Sequence, residues 1–157
     1  TVFRVAAQQI AEGLGMRFLL NPSADEKVGP NDFLFNTVKL SGEVSLSDVV
    51  GLPLVRKAET EGDVSLTRHV PTLPLRLAMC KQAGLSVVIF DDAPNASPPM
   101  QNILLGLLDN GRYYELDPGE HTYIGLTGNL GGSDGAKPSA RLRTRVRVFF
   151  VEDDVVN

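Results

Sequence analysis

The sequence predicts an all-β fold, an antiparallel jelly-roll β-sandwich with an N-terminal helix and one short internal helix. Three observations carry that expectation. From Phe33 onward, short apolar stretches are broken by turn residues at the spacing of a sandwich or barrel. The stretches Leu73–Met79 and Arg141–Val148 alternate apolar and polar residues, as half-buried antiparallel strands do. A helical period is confined to residues 2–14 and to a segment after Ser97.

The elements follow in chain order. Val2, Phe3, Ala6, Ala7, Ile10 and Leu14 share one helical face, Arg4, Gln8, Gln9 and Glu12 lie mostly opposite, and Gly13 and Gly15 supply a stop. This helix either packs on the domain or serves as an arm that docks on a neighbour. Residues 21–31 (NPSADEKVGPN) read as a polar loop. Candidate strands are Phe33–Leu40, Glu43–Leu46, Val49–Val55, Asp63–His69, Leu73–Cys80, Leu85–Phe90, Arg112–Leu116, His121–Thr127 and Arg141–Val151. Ser97 is a sound N-cap with Pro98 at the first helical position, and predicts one to two helical turns before Asp109-Asn110-Gly111. Turns follow at Asn110-Gly111 and Pro118-Gly119, and a long loop at Gly128–Ser139.

The 157 residues fit one domain, able to bury roughly 70% of its unfolded surface. No repeat or linker divides them, so one domain is expected over 1–157, with a helix or arm at 1–20 and the sandwich at 31–151. A single cysteine, Cys80, excludes an intramolecular disulfide and reads as a buried small hydrophobe. The net charge of −4 argues against indiscriminate polyanion binding but allows a local basic stripe. No apolar run reaches the roughly 18 residues of a membrane span, so a soluble chain with no membrane partner is expected.

That stripe is Arg141, Arg143, Arg145 and Arg147. On a strand they share one face, about 6.6–7 Å apart, with Leu142, Thr144, Val146 and Val148 on the other. They are balanced by carboxylates such as Asp117 or Glu120, or they contact nucleic acid, or they contact a neighbouring subunit. Phe149 and Phe150 point to opposite faces, so one of them suits a subunit contact, as do Phe3 and Ile10 if the helix is an arm.

Catalytic constellations are poorly supplied. His69 and His121 stand without a G-x-S-x-G elbow, and they are too isolated for a cupin-type metal centre, so no catalytic residue, no cofactor and no enzyme activity are expected. Asp91-Asp92, after the apolar run V-V-I-F, reads as a polar strand terminus and as a weak calcium candidate, since calcium takes hard oxygen ligands. Gly131-Gly132-Ser133-Asp134-Gly135 leads toward a strand, and so lacks the helix N-terminus of a phosphate cradle. Asn95-Ala96-Ser97 matches a glycosylation sequon weakened by Pro98.

Residues 73–151 resemble the single jelly-roll coat proteins of small icosahedral viruses, tymovirus coats most of all. The resemblance rests on the order LSVVIF, DDAPNASPP, MQNIL, DNGRYYELDPG, HTYIGLTG and SARLRTRVRVFFVED. The N-terminal helix departs from the extended arm of those coats, and the chain is short for them. The resemblance implies a capsid subunit that assembles with copies of itself around a viral genome, located in the virion and in host cytoplasm during assembly. The alternatives are a non-catalytic β-sandwich module recognising a protein or carbohydrate, poorly served for sugar stacking by a chain without Trp, and an enzyme whose polar cluster only the fold assembles.

Overall fold

A computed structural model describes residues 2–23, 25–40, 44–56, 66–70, 82–110, 119–128, 139–145 and 147. Among them the chain runs α1 (Val2–Gly13), β1 (Arg17–Leu20), β2 (Asp32–Lys39), α2 (Leu46–Val50), β3 (Leu52–Arg56), β4 (Leu66–Val70) and β5 (Leu85–Asp91). A 3-10 turn (Ala93–Asn95), α3 (Pro98–Asn110), β6 (Thr122–Leu126) and α4 (Ala140–Arg143) follow.

The central feature is a four-stranded sheet in the order β1-β2-β5-β6, every pair of which is parallel. The register sets Phe33 beside Phe18 and Leu85, and Val88 beside Asn36 and Ile124. A separate antiparallel pair, β3 with β4, is inserted between β2 and β5.

Side-chain alternation assigns the two faces. Phe33, Phe35 and Ile89 are buried on one face with Ala7 and Ala11 of α1. Phe18 leans on Phe33 and Phe35 there, with ring centroids 5.9 and 6.2 Å away. On the other face Val38, Val88 and Phe90 pack against Met100, Ile103, Leu104 and Leu107 of α3, with Val49 of α2 and Leu142 of α4. Met100, Ile103, Leu104 and Leu107 follow the i, i+3, i+4, i+7 spacing of a core-facing helix stripe. Helices on both faces of a parallel sheet make this an α/β architecture.

The expected all-β jelly roll is therefore corrected. A jelly roll is made of antiparallel strands in two packed sheets, whereas the four-stranded sheet among the described residues is parallel and carries helices on both faces. The runs FLF and VVIF are continuous because strands of a parallel sheet are buried on both sides, and a short apolar run of that kind fits either architecture. The capsid-subunit reading and the β-sandwich binding module both required the sandwich, and both fall with it.

Single elements are corrected with it. Of the expected strand Glu43–Leu46, residues 44–46 are described and are not a strand: Ser45 caps α2 in a capping box with Asp48, and the strand begins only at Leu52. Arg17–Leu20, taken as part of the helix or arm, is an edge strand. The helix after Ser97 runs 13 residues rather than one to two turns. Arg141–Val151 begins as helix α4, capped by Ser139, whose hydroxyl accepts from the Leu142 N–H. The expected strands Leu73–Cys80 and Arg112–Leu116, together with Cys80, Phe149, Phe150 and the Gly131–Gly135 loop, lie outside the described residues.

Candidate functional site at the carboxyl edge of the sheet

In open parallel α/β sheets, ligands bind outside the carboxyl ends of the strands, where loops diverge and helix termini point. Here that edge is built by the ends of β2, β5 and β6. Lys39 stands in register with Asp91, and Thr127 follows Leu126, the partner of Phe90. By alternation all three lie on the α1 face of the sheet. Thr37 and Lys39 are exposed and Asp91 is half-buried. Phe33 and Phe35 lie buried under α1. The carboxyl third of this face is thus an open shelf.

Asp91 and Asp92 end the apolar run of β5. The Thr127 hydroxyl donates to Asp91 Oδ1 at 2.5 Å. Asp92 adopts left-handed backbone (φ 64°, ψ 31°), a conformation that Asp tolerates better than most residues. That turn diverts the chain from β5 into the 3-10 turn. The Asn95 amide donates to Asp92 Oδ1 at 2.6 Å. Gly128 closes the edge from the β6 side: a Cβ there would lie 2.2 Å from Pro94 Cδ, so only glycine fits against that ring.

Residues 14–16 turn the chain sharply from α1 into β1, with Gly15 at φ +67°. At the carboxyl edge, Lys39 and Asp91 share a register position and Asp92 stands in the turn that follows. Carboxylates attract a cation, and Lys39 attracts an anion.

The oxygen donors fit a hard divalent cation. A carboxylate at this edge supplies only part of an octahedral shell, which suits magnesium, because that ion is bound through one or two carboxylates with the remainder from phosphate and water. Among the described residues no group of three or more His, Cys, Asp or Glu forms an all-protein cage. The sequence offers Asp91 and Asp92 only as weak calcium candidates. It gives no sign of Lys39 or Thr127, because only the strand register brings them to Asp91.

The basic residues go elsewhere. Arg141 and Arg143 belong to α4 rather than to a strand, so the four arginines do not form the expected single edge. Arg141 and Arg145 line a surface cleft of about 330 Å³ with Asn102, Leu105 and Asp109. Arg145 Nε is 2.7 Å from Asp109 Oδ1. Arg143 and Arg147 are exposed. On α1, Phe3 and Ile10 are 48% and 52% exposed, so they do not contribute to the buried core. His121 is exposed at the turn before β6, and His69 lies in β4.

No protein-family signature matches the sequence, and no curated protein matches it. Among solved structures the chain is similar to that of a putative ATPase from Cytophaga hutchinsonii, with a TM-score of 0.45 and 12% identity. The likeness covers 96% of this chain and 47% of that one, so the chain spans about half its length.

Proposed function

We propose that this chain carries the cation-binding edge of a domain that binds the magnesium complex of a nucleoside triphosphate and hydrolyses its terminal phosphate. One observation carries the reading. Asp91 closes an inner strand of a parallel sheet, and Asp92 follows it at the turn out of the strand. An aspartate at such a strand end is one recurring way of holding magnesium on transferred phosphates.

In this reading Asp91 takes the cation, and Lys39, in register with it, meets phosphate oxygens. Magnesium, when bound, neutralises charge on the phosphate oxygens and favours in-line attack. Asp92, one residue farther and turned out of the strand, orients a water. The water oxygen bonds to the terminal phosphorus, the bridging P–O bond breaks with its electrons going to the leaving diphosphate, and the water's proton passes to the Asp92 carboxylate.

The test is made in the full protein, by calorimetric titration with magnesium and ATP and by measuring phosphate release. Asp91→Asn is expected to weaken nucleotide binding in the presence of magnesium by about tenfold or more. Asp92→Asn is expected to keep binding within about twofold and to lower turnover by roughly a hundredfold. Magnesium-dependent binding that is indifferent to Asp91→Asn would sink the reading.

A further inference from the structure

We propose that the cleft between α3 and α4 binds the phosphodiester backbone of a single-stranded nucleic acid, with Arg141 and Arg145 meeting phosphates in the cleft and Arg143 and Arg147 extending the contact along the strand. The proposal does not rest on the cation site at the carboxyl edge.

The cleft, of about 330 Å³, is built by two elements. Asn102, Leu105 and Asp109 stand at i, i+3 and i+7 on one face of α3, and Arg141 and Arg145 come four residues apart from α4 and the turn after it. Packing fixes the two walls against each other. Leu142 is buried in the core beside α3, and the Ser139 N–H donates to Gln101 Oε1 at 3.2 Å. The Gln101 amide in turn donates to the Ala96 carbonyl at 3.0 Å.

Arg145 is held in place before any ligand arrives. Its Nε donates to Asp109 Oδ1 at 2.7 Å and its Nη1 to Thr144 Oγ1 at 2.9 Å, which leaves Nη2 without a partner among the described residues. The guanidinium groups of Arg141, Arg143 and Arg147 have no hydrogen-bond or ion-pair partner among the described residues, and all three residues are exposed. Four arginines thus stand within residues 141–147 of a chain whose net charge is −4, and Asp109 offsets one of them. A planar guanidinium fork matches phosphate oxygens, and a polyanion relieves the mutual repulsion of the whole group. A single phosphomonoester would leave Arg143 and Arg147, outside the cleft, unused. None of the lining residues is aromatic, so the contact lacks base stacking and is indifferent to sequence. A duplex presents its phosphates on a broad convex surface that a cleft of this size does not admit.

The test is fluorescence anisotropy of a labelled oligothymidylate titrated with the full protein in EDTA, repeated across a salt series. Each phosphate contact on a single strand contributes about 0.7 to the slope of log affinity against log salt, which is about fivefold at roughly 0.1 M salt. Arg141→Gln is expected to weaken binding by about that factor and to lower the slope accordingly, and the Arg143→Gln, Arg147→Gln pair to do so about twice over on a logarithmic scale. Circular dichroism melts check that the variants are folded; should Arg141→Gln fail to fold, the pair of exposed substitutions carries the comparison. Absence of binding by the wild-type protein, or binding indifferent to all three substitutions, would overturn the proposal. Loss on Arg141→Gln alone, with inorganic phosphate displacing the oligonucleotide at an unchanged ionic strength, would replace the strand by a lone phosphate group. A duplex bound as tightly as the single strand would overturn the single-stranded assignment.

Discussion

At the scale of single residues, the ion pair at the start of the sheet gives the protein a pH-dependent element. Arg17 meets Asp32 through two bonds, Nε to Oδ1 at 2.8 Å and Nη2 to Oδ2 at 2.9 Å, and the Gly29 N–H adds a third bond to Oδ2. The Asp32 side chain is buried while that of Arg17 is half exposed. The Arg17 hydrogen bonds hold the Asp32 carboxyl below its ordinary value, against the opposing effect of burial. A carboxyl depressed in the folded state contributes stability that is present above its unfolded value and disappears as pH falls through its folded value. Asp32→Asn is therefore expected to lower the urea midpoint at pH 7, with the difference from wild type shrinking as the pH drops below the ordinary carboxylate range. A pH-independent difference would show that the pair's charge does not matter. Asn36 behaves in the opposite sense. It is fully buried on the α3 face, and its amide nitrogen and oxygen have no partner among the described residues. An apolar side chain of similar size removes that desolvation cost, so Asn36→Leu is expected to raise the unfolding free energy by roughly 1–2 kcal/mol in urea titrations. A loss of stability instead would show that the amide is bonded in solution.

At the scale of elements, α3 seals the second face of the sheet through one stripe of side chains. Leu104 is 1% exposed at the middle of that stripe. Leu104→Ala removes its contacts with the cluster around Val88 and Phe90, and about 2–5 kcal/mol of stability is expected to be lost in denaturant titrations. Gly84 governs the entry to β5, where its N–H donates to the Asp32 carbonyl. A Cβ at this position would lie 2.1 Å from the Pro30 carbonyl oxygen, a backbone atom that cannot swing aside. Gly84→Ala is expected to cost roughly 1–3 kcal/mol, read from the same titrations. The elements differ in how well the sequence announces them. The period of α1 and the apolar runs of β2 and β5 are legible because burial on one stripe, or on two faces, imposes them directly. β1 is only four residues, RFLL, directly after a helix, too short for a period to show. In ARLR the alternation that suggests a strand also suits a single helical turn that buries Leu142 alone, and Ser139 as cap decides for the helix. Strand direction was not legible at all, because an apolar run has no feature that records whether its neighbour is parallel.

At the scale of the whole molecule, the candidate site is a product of topology more than of motif. Asp91 and Asp92 are visible as a carboxylate pair in any reading, but their standing depends on β5 being an inner strand of a parallel sheet and on Thr127 arriving beside them from β6. The same topology fixes the order in which the chain can come together. β1 and β2 pair across a short connection, Arg17 with Asp32, whereas Phe33 of β2 must find Leu85 across roughly fifty residues. Parallel pairing of this kind gains nothing until the long connection has closed, so its entropy is lost before its contacts form. In stopped-flow refolding, Phe18→Leu at the β1–β2 contact is expected to slow folding. Val38→Ala, at the β2–β5 junction, is expected to act chiefly by accelerating unfolding. The reverse partition would place the central pairing early. Until β2 and β5 meet, β5 and β6 can carry Asp91 and Thr127 to each other, but Lys39 has no place beside them. The newly made chain therefore brings Thr127 to Asp91 by closing a connection of 36 residues, and sets Lys39 beside them only when the longer connection from β2 to β5 has closed.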